Sequence, residues 1–198
     1  MTENRDIKSS NMIHKVANNV MMVVFDDITN KLWDPRSKND DGDKIRNNVR
    51  VNFVHYNDAN QAKKMVPIFI NADEMMMVMN KIRQGTFSSH LGEYTNYGGS
   101  HSGIARERKA SGELEPVVDG IESRVFRMFV NNDGKLSMKA SVYRGKKMNG
   151  GAIKQTGDAI IEPYITLDTV RAMTMAEAVW SYLVSRKTVC VSNQFNNE

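Results

Sequence analysis

The chain has 198 residues, a net charge of +4, and 40% apolar and 25% charged residues. This length allows a sizeable buried core, and the composition is typical of soluble globular proteins. No apolar run approaches the roughly 20 residues that a membrane-spanning helix needs, and the single cysteine, Cys190, excludes an internal disulfide and a multi-cysteine metal site.

The N-terminal residues 1–15 are polar and lack the apolar segment of a secretory signal. A lone cysteine fits a reducing compartment. We therefore expect a cytoplasmic protein.

The first half predicts four strands followed by a helix. Asn71 occupies an N-cap position with Glu74 three residues later, as in a capping box, and Gly85 ends the helix. The turn-forming segment KNDDGDK separates the second expected strand from the third. The expected strands span residues 20–25, 31–33, 49–55 and 66–70. The apolar stripe of the helix consists of Met75, Val78, Met79 and Ile82.

Residues 86–120 are rich in glycine, serine and other polar residues, which predicts a long connecting loop or an irregular strand pair. The segment ARERKA within it carries Arg106 and Arg108, with Tyr94 and Tyr97 upstream. These residues either extend a binding groove or belong to a solvated loop.

The second half predicts the same order of elements. A cap is expected at Thr166, Asp168 lies in the first helical turn, and cations near the helix end suit its dipole. The helical stripe consists of Ala172, Ala176, Val179, Trp180 and Leu183. The expected strands span residues 124–130, 136–143, 151–155 and 160–165.

The two strand-to-helix junctions share a pattern, because FINADEM at residues 69–75 aligns with YITLDTV at residues 164–170. A duplication and a chance likeness of two capped helices both explain the match. We interpret the chain as one α+β domain made of two strand-strand-strand-strand-helix pseudo-repeats with curved antiparallel sheets. The domain spans residues 1–198, with pseudo-repeats at residues 15–85 and 121–187 and the connecting loop at residues 86–120.

This order of elements resembles that of the whirly and PUR types of single-stranded nucleic-acid-binding proteins. The matching segments are VPIFINADEMMMVMNKI, RVFRMFVNNDGKLSMKASVYRGKKMNGGAIK and EPYITLDTVRAMTMAEAVWSYL. The resemblance covers residues 49–183 and lies in architecture, because the Lys-Gly-Lys-Ala-Ala-Leu signature of the plant family is absent. It implies two such repeats and binding of single-stranded nucleic acid.

A basic segment, residues 123–154, holds eight basic residues and one acidic residue, a local charge of +7. Concentrated positive charge is typical of a surface that binds a polyanion. The alternative is a solvated strand pair with basic residues on its wet face.

The turn NNDGK within this segment decides which side chains of the surrounding hairpin face outward. Lys139 and Tyr143 alternate with apolar residues on the second strand and point outward. A turn over residues 132–134, with its glycine in the left-handed conformation, adds Arg127 and Phe129 to that face.

A loop of only residues 133–134 would instead add Arg124 and Phe126. In either register basic residues stand beside an exposed aromatic pair, on which bases stack while cations contact phosphates. A second layer or a subunit contact would also use such rings. The candidate nucleic-acid-binding residues are Arg106, Arg108, Arg124, Arg127, Phe129, Lys139, Tyr143, Arg144, Lys146, Lys147 and Lys154.

No catalytic site is expected. His90 and Glu93 would bind a metal only from one helical face, which the surrounding glycines disfavour, and GSHSG lacks the spacing of a nucleophile elbow. We therefore expect neither a cofactor nor a metal.

We interpret the chain as a sequence-tolerant single-stranded DNA-binding protein that acts in replication or recombination. RNA instead of DNA and a homo-oligomeric state stay open, and no membrane partner is expected. The alternative is a structural or assembly protein whose outward sheet face binds protein. The small size and the asparagine usage would suit a bacteriophage protein.

Overall fold

The computed structural model describes residues 11–29, 47–56, 59 and 61–195, with side chains up to residue 192. The strand expected at residues 31–33 and the turn at residues 38–44 lie outside the described residues. Within the described part, the strands are β1 (Met12–Ala17), β2 (Met21–Ile28), β3 (Asn48–Tyr56), β4 (Ala62–Asn71), β5 (Glu93–Ser100), β6 (Arg106–Arg108), β7 (Leu114–Pro116), β8 (Glu122–Val130), β9 (Leu136–Lys147), β10 (Ile153–Ile161) and β11 (Tyr164–Leu167). The helices there are α1 (Ala72–Arg83), α2 (Phe87–His90) and α3 (Thr169–Phe195).

These strands form two antiparallel sheets. Sheet 1 has the order β1-β2-β3-β4-β6-β7, and sheet 2 has the order β10-β9-β8-β5 with β11 beside β9. In sheet 1, β1 to β4 form an up-and-down run that leads into α1. In sheet 2, β5, β8, β9 and then β10 with β11 form a similar run that leads into α3. The predicted α+β fold with two strand-strand-strand-strand-helix units is confirmed, although the first strand of each unit, β1 and β5, was not among the predicted strands.

The first strand of the second unit, β5, lies in the segment predicted as a connection. It pairs along its whole length with β8, from Glu93 opposite Phe129 to Ser100 opposite Glu122. Its sequence EYTNYGGS is polar and glycine-containing, so the tertiary partner rather than local preference makes it a strand. The same segment holds α2 and the paired strands β6 and β7, so the alternative of an irregular strand pair describes it better than a plain loop.

The strand expected at residues 160–165 is two strands. β10 ends at Ile161, β11 begins at Tyr164, and both pair with β9. Pro163 lies between them and has no amide proton to donate to the ladder, although its carbonyl accepts a hydrogen bond from Ala140 N at 3.0 Å. Ile161 lies opposite Val142 and Tyr164 lies opposite Lys139, so the chain continues in one register beside β9 through the break.

The predicted cap of α1 is confirmed and that of α3 is wrong. The Asn71 carboxamide oxygen accepts hydrogen bonds from the backbone N–H groups of Asp73 and Glu74 at 2.9 and 3.4 Å. In the second unit Asp168 caps the helix, since its carboxylate accepts from Arg171 N at 2.9 Å. Thr166 remains in β11, where its hydroxyl lies 3.0 Å from that of Ser137. Asp168 rather than Thr166 is the cap because β11 continues to Leu167, two residues beyond the end expected for the strand.

The hairpin between β8 and β9 adopts the first of the two predicted registers. Val130 pairs with Leu136, and Gly134 in the turn has a φ of 72°, which only glycine adopts readily. Arg127 and Phe129 therefore face outward with Lys139, as that register predicts.

Both sheets contribute to one hydrophobic core. Phe53 of β3 and Phe126 of β8 meet edge to face, with ring centroids 6.0 Å apart, and the predicted stripe of α1 is buried. On the core side of β5, the Tyr94 hydroxyl donates to Glu74 of α1 at 3.0 Å. The core and α1 thus lie on one side of sheet 2. No helix in the described residues is long and apolar enough to cross a bilayer.

Candidate nucleic-acid interface

The outward face of sheet 2 is the side turned away from the core. Directly opposed residues on neighbouring strands point to the same side of a sheet, so the register defines rows across this face. The central row is Thr95, Arg127, Lys139 and Tyr164. The second row is Tyr97, Val125 and Ser141, and the third row is Gly99, Ser123 and Tyr143.

Two tyrosine rings are well exposed on this face. Tyr97 on β5 is 74% exposed and Tyr164 on β11 is 65% exposed. Their strands are three spacings apart, which is about 14 Å across the sheet. Separated aromatic rings with free faces are what unpaired bases stack on.

Phe129 and Tyr143 both face outward, but they do not form the predicted exposed pair. Both are half-buried. Phe129 lies opposite Ser137 and Tyr143 lies opposite Ser123, so the two positions are separated by about 20 Å along the strands. The prediction of adjacent rings is wrong because the register places these residues at opposite ends of the face.

The two central cations are each paired with a carboxylate. Arg127 Nε lies 3.2 Å from Glu93 Oε1, and Lys139 Nζ lies 2.7 Å from Glu162 Oε1. The Ser141 hydroxyl also donates to Glu162, at 2.8 Å. The hydrogen bond from Lys139, then that from Ser141, lowers the pKa of Glu162. The centre of the face is therefore balanced in charge, although the basic segment alone is strongly positive.

Arg124 is buried, and its predicted contact with nucleic acid is wrong. Its side chain is 4% exposed, its Nε lies 3.2 Å from Glu122 Oε1, and its Nη1 donates to the carbonyl of Pro67 at 2.7 Å. Burial lowers the pKa of Arg124 and raises the pKa of Glu122. In the observed register Arg124 points to the core side of sheet 2. Its guanidinium joins β8 to β4 of sheet 1.

The end of the hairpin between β9 and β10 holds cations that have no carboxylate partner among the described residues. Lys146 lies directly opposite Lys154, and Arg144 lies opposite Thr156, so three cations share one side of the hairpin, the side opposite to that of Tyr143 and Ile153. Among the described residues, no ion pair involves these cations or Lys147. Like charges directly opposite each other destabilise a strand pair, and a bound anion would offset that repulsion.

Glycines allow this hairpin to bend over the outward face. A Cβ atom at Gly99 would lie 2.8 Å from Cβ of Ile153, and one at Gly145 would lie 2.7 Å from Cγ2 of Ile153. Ile153 therefore packs directly on the backbones of β5 and β9. The bend creates a cleft of about 620 Å³ with Tyr97 in one wall and Lys154 in the other.

A second cleft, of about 500 Å³, borders Tyr164 and extends to sheet 1. Its walls include Val20, which is 53% exposed, as well as His55 and Lys64. Burial lowers the pKa of His55, and the charges of Lys63 and Lys64 act in the same direction. Tyr164 thus stands where the outward face meets a mixed apolar and basic wall.

Arg106 and Arg108 do not join this face. They lie on β6 of sheet 1, where both are half-buried. Arg106 Nη1 donates to the carbonyl of Gly103 at 2.7 Å, and Arg108 Nε donates to that of Ala62 at 2.9 Å. Arg108 thus joins β6 to β4, and neither arginine lies on sheet 2, so they do not extend this face as predicted.

No metal site is evident among the described residues, where no three His, Cys, Asp or Glu side chains gather. His90 Nδ1 lies 3.1 Å from Lys81 Nζ, and Glu93 is held by Arg127. The expectation that the chain is not an enzyme stays a prediction.

Three residues of the face escaped the sequence prediction. The alternation of Tyr164 and Thr166 with Ile165 and Leu167 would have indicated that Tyr164 points outward, as the burial of the two apolar residues bears out. Glu93 and Glu162 carry no local signal, because only the folded chain brings them to the basic segment.

Comparison of the chain with models of protein families, with curated proteins and with solved structures found no match. The resemblance to the whirly and PUR types therefore stays a prediction.

Proposed function

We propose that the chain binds single-stranded DNA with little sequence preference through the outward face of sheet 2. The observation that carries the proposal is the central row, in which exposed Tyr164 stands beside Lys139 and Arg127, with exposed Tyr97 in the next row. Aromatic rings beside cations are the recurring combination in proteins that bind single strands.

In this proposal the strand crosses the sheet from Tyr97 to Tyr164. One base stacks on each ring, and the phosphates between them contact Arg127 and Lys139. Every base has a π face, so stacking tolerates any sequence. A duplex keeps its bases stacked on each other and offers the rings nothing to stack on, so single strands should bind more tightly.

The hairpin cations add positive charge at the edge of the face, where Lys154 lines the larger cleft. Arg144, Lys146 and Lys154 stand on one side of the β9–β10 hairpin, whose bend forms the wall of the larger cleft. These cations have no carboxylate partner in the described part of the chain, so they attract a polyanion and add salt dependence to the binding. A role in replication or recombination belongs to the same proposal, because single strands are exposed in both processes.

A protein partner is the second candidate, favoured by the charge balance at the centre of the face. Arg127 and Lys139 already have carboxylate partners, and a tyrosine-containing face of balanced charge also suits a protein contact. A second copy of the chain is the partner that can be tested directly. If the face joins two copies, Tyr97→Glu should lower the molar mass measured by light scattering, while single-stranded DNA binding would be absent.

The direct test is a titration of a labelled single strand into the protein, with a duplex of the same sequence as competitor. The proposal expects tight single-strand binding that a Tyr97→Ala, Tyr164→Ala double variant loses. Equal binding of single strand and duplex, or full binding by the double variant, would contradict it.

A further inference from the structure

Two carboxylates cover the central cations of the outward face, and both come from outside the basic segment. Glu93 begins β5, and Glu162 lies in the break between β10 and β11. Neither position is adjacent in the chain to the cation that it contacts, so the fold itself brings each acid to a place that a phosphate would occupy.

Each carboxylate is held by more than a cation. Glu93 Oε1 accepts hydrogen bonds from the Thr95 hydroxyl at 2.8 Å and contacts Arg127 Nε at 3.2 Å. Glu162 Oε1 accepts from Ser141 and contacts Lys139 Nζ at 2.7 Å. The hydroxyls orient the acids over the cations, so these contacts are specific positions on the face.

The same pairs are exposed enough to open. The side chains of Glu93 and Arg127 are 45% and 52% exposed, and those of Glu162 and Lys139 are 40% and 32% exposed. Ion pairs of this exposure contribute at most about 1 kcal/mol. A phosphate that binds together with a stacked base can therefore displace the carboxylate. An isolated phosphate cannot, because its contact with the cation is little more favourable than that of the carboxylate.

We propose that Glu93 and Glu162 are built-in competitors of the nucleic-acid phosphates, which occupy Arg127 and Lys139 until a strand long enough to reach both tyrosines displaces them. This inference rests on the proposed function. The acids then set a threshold: short oligonucleotides and free nucleotides bind poorly, and longer single strands bind because stacking compensates for the displaced ion pairs. The hydrogen bonds from Lys139 and Ser141 lower the pKa of Glu162, which favours its charged form.

The test measures binding of labelled single-stranded DNA of about 4 and about 16 nucleotides, the range of single-strand site sizes in small binding folds. The variants are Glu93→Gln, Glu162→Gln and both together, because glutamine keeps the shape and a hydrogen-bond acceptor but removes the charge. Glu115→Gln is the matched control, since Glu115 is an exposed acid on β7 of sheet 1. Each face variant should raise affinity for the long strand about two- to fivefold, and the gain should be no larger for the short strand, which displaces the acids less completely.

A double-mutant cycle of Glu162→Gln with Lys139→Gln tests whether Glu162 acts through Lys139. If Glu162 competes for Lys139, the gain from Glu162→Gln should disappear in the Lys139→Gln background, because no cation remains to be freed. A gain that persists in that background, or an equal gain from Glu115→Gln, would overturn the inference and indicate a general effect of net charge.

The outcomes separate this inference from the function on which it rests. If the wild type binds single strands and both glutamine variants bind them with the same affinity, the competition is overturned and the proposed function stands. Absence of single-strand binding in the wild type and in every variant would overturn the proposed function and the competition with it. Because each exposed ion pair contributes at most about 1 kcal/mol, thermal melts of the variants should lie close to that of the wild type.

Discussion

Arg127 and Lys139 lie directly opposite each other on β8 and β9, and each contacts a carboxylate from another part of the chain. Two like charges in direct cross-strand contact would repel each other, so Glu93 and Glu162 stabilise the pair. In the proposed function, a strand on this face replaces those carboxylates, and the exposed rings beside them are then the main source of specificity for single strands.

The first prediction concerns the exposed rings. Tyr97→Ala and Tyr164→Ala should each weaken single-strand binding by about 1–3 kcal/mol, the contribution of one stacked base. Neither change should lower the unfolding free energy much, because substitutions of exposed side chains rarely do. A titration and a thermal melt on each variant check both expectations.

Met138→Ala is the buried control for these variants, since Met138 is fully buried on the opposite side of β9. It should destabilise the fold by about 2–5 kcal/mol without a specific effect on binding below its melting temperature. If the tyrosine variants instead destabilise the chain as Met138→Ala does and leave binding intact, the outward face is a packed interface.

The second prediction concerns the hairpin cations. Lys146→Ala and Lys154→Ala should each reduce the slope of log affinity against log salt by about 0.7, the value for one lost phosphate contact on a single strand. Because Lys146 and Lys154 face each other, either change should also relieve repulsion and raise stability by roughly 0.2–1 kcal/mol.

Lys15→Ala provides the comparison, because Lys15 is an exposed residue of β1 in sheet 1. Its salt slope should equal that of the wild type. Slopes that are unchanged in Lys146→Ala and Lys154→Ala would remove the hairpin from the binding surface.

Local patterns predicted most of the fold. The Asn71 cap and the buried stripe of α1 are short-range features, and each was confirmed. The alternation along β9 was confirmed in its register, although Ser137 and Ser141 on the outward side are buried. β5 could not be predicted, because its polar and glycine-containing sequence becomes a strand only by pairing with β8. The cap of α3 was misplaced at Thr166 because threonine and aspartate are both good capping residues. Thr166 cannot cap the helix because it is still part of β11.

The site was less predictable than the fold. The sequence located Lys139 on the outward face and Arg127 there in one of two registers, but it could not place their partners, since Glu93 and Glu162 are distant in the chain. The location of Arg124 depended on the register of one turn, and the observed register buries it against Glu122. Whether a given cation is paired with a carboxylate therefore depends on the tertiary structure and cannot be read from local sequence.

The third prediction concerns the bend that forms the larger cleft. Gly99→Ala should destabilise the fold by about 1–3 kcal/mol, as overpacking does, because the new methyl group would lie 2.8 Å from Cβ of Ile153. Gly98→Ala is the neighbouring control, whose Cβ would meet nothing closer than Arg124 Nη2 at 3.7 Å. Urea unfolding of both variants should separate them, and equal stabilities would show that the contact with Ile153 does not constrain the hairpin.

The fourth prediction concerns the attachment of α3 to sheet 1. The Tyr182 hydroxyl donates to Asp27 Oδ2 at 2.8 Å. Burial raises the pKa of Asp27, but hydrogen bonds from Thr29 and Tyr182 and the charge of Arg186 outweigh it, so the pKa is lowered below 3.8. Tyr182→Phe should therefore cost about 1–2 kcal/mol at neutral pH.

The sign of the pH dependence follows from that lowered pKa. A carboxylate with a depressed folded-state pKa stabilises the fold above its unfolded pKa, and this contribution is lost as the pH falls through the folded value. The difference between wild type and Tyr182→Phe should consequently shrink in acid. Urea unfolding at neutral pH and at the lowest pH where the chain stays folded tests this, and a difference that is constant with pH would mean that Asp27 is not the partner that matters.

The central claim is that the outward face of sheet 2 selects single strands by stacking, and one competition experiment tests it most directly. A labelled single-stranded DNA is bound at low and at moderate salt and then displaced by unlabelled single-stranded DNA, duplex DNA or single-stranded RNA. The account predicts that single-stranded DNA competes well, that duplex competes much more weakly at both salts, and that affinity falls linearly with salt on a log–log scale. RNA competing as well as DNA would assign the face to single strands of either kind. Duplex competing as well as the single strand, or binding that is independent of salt, would contradict the account.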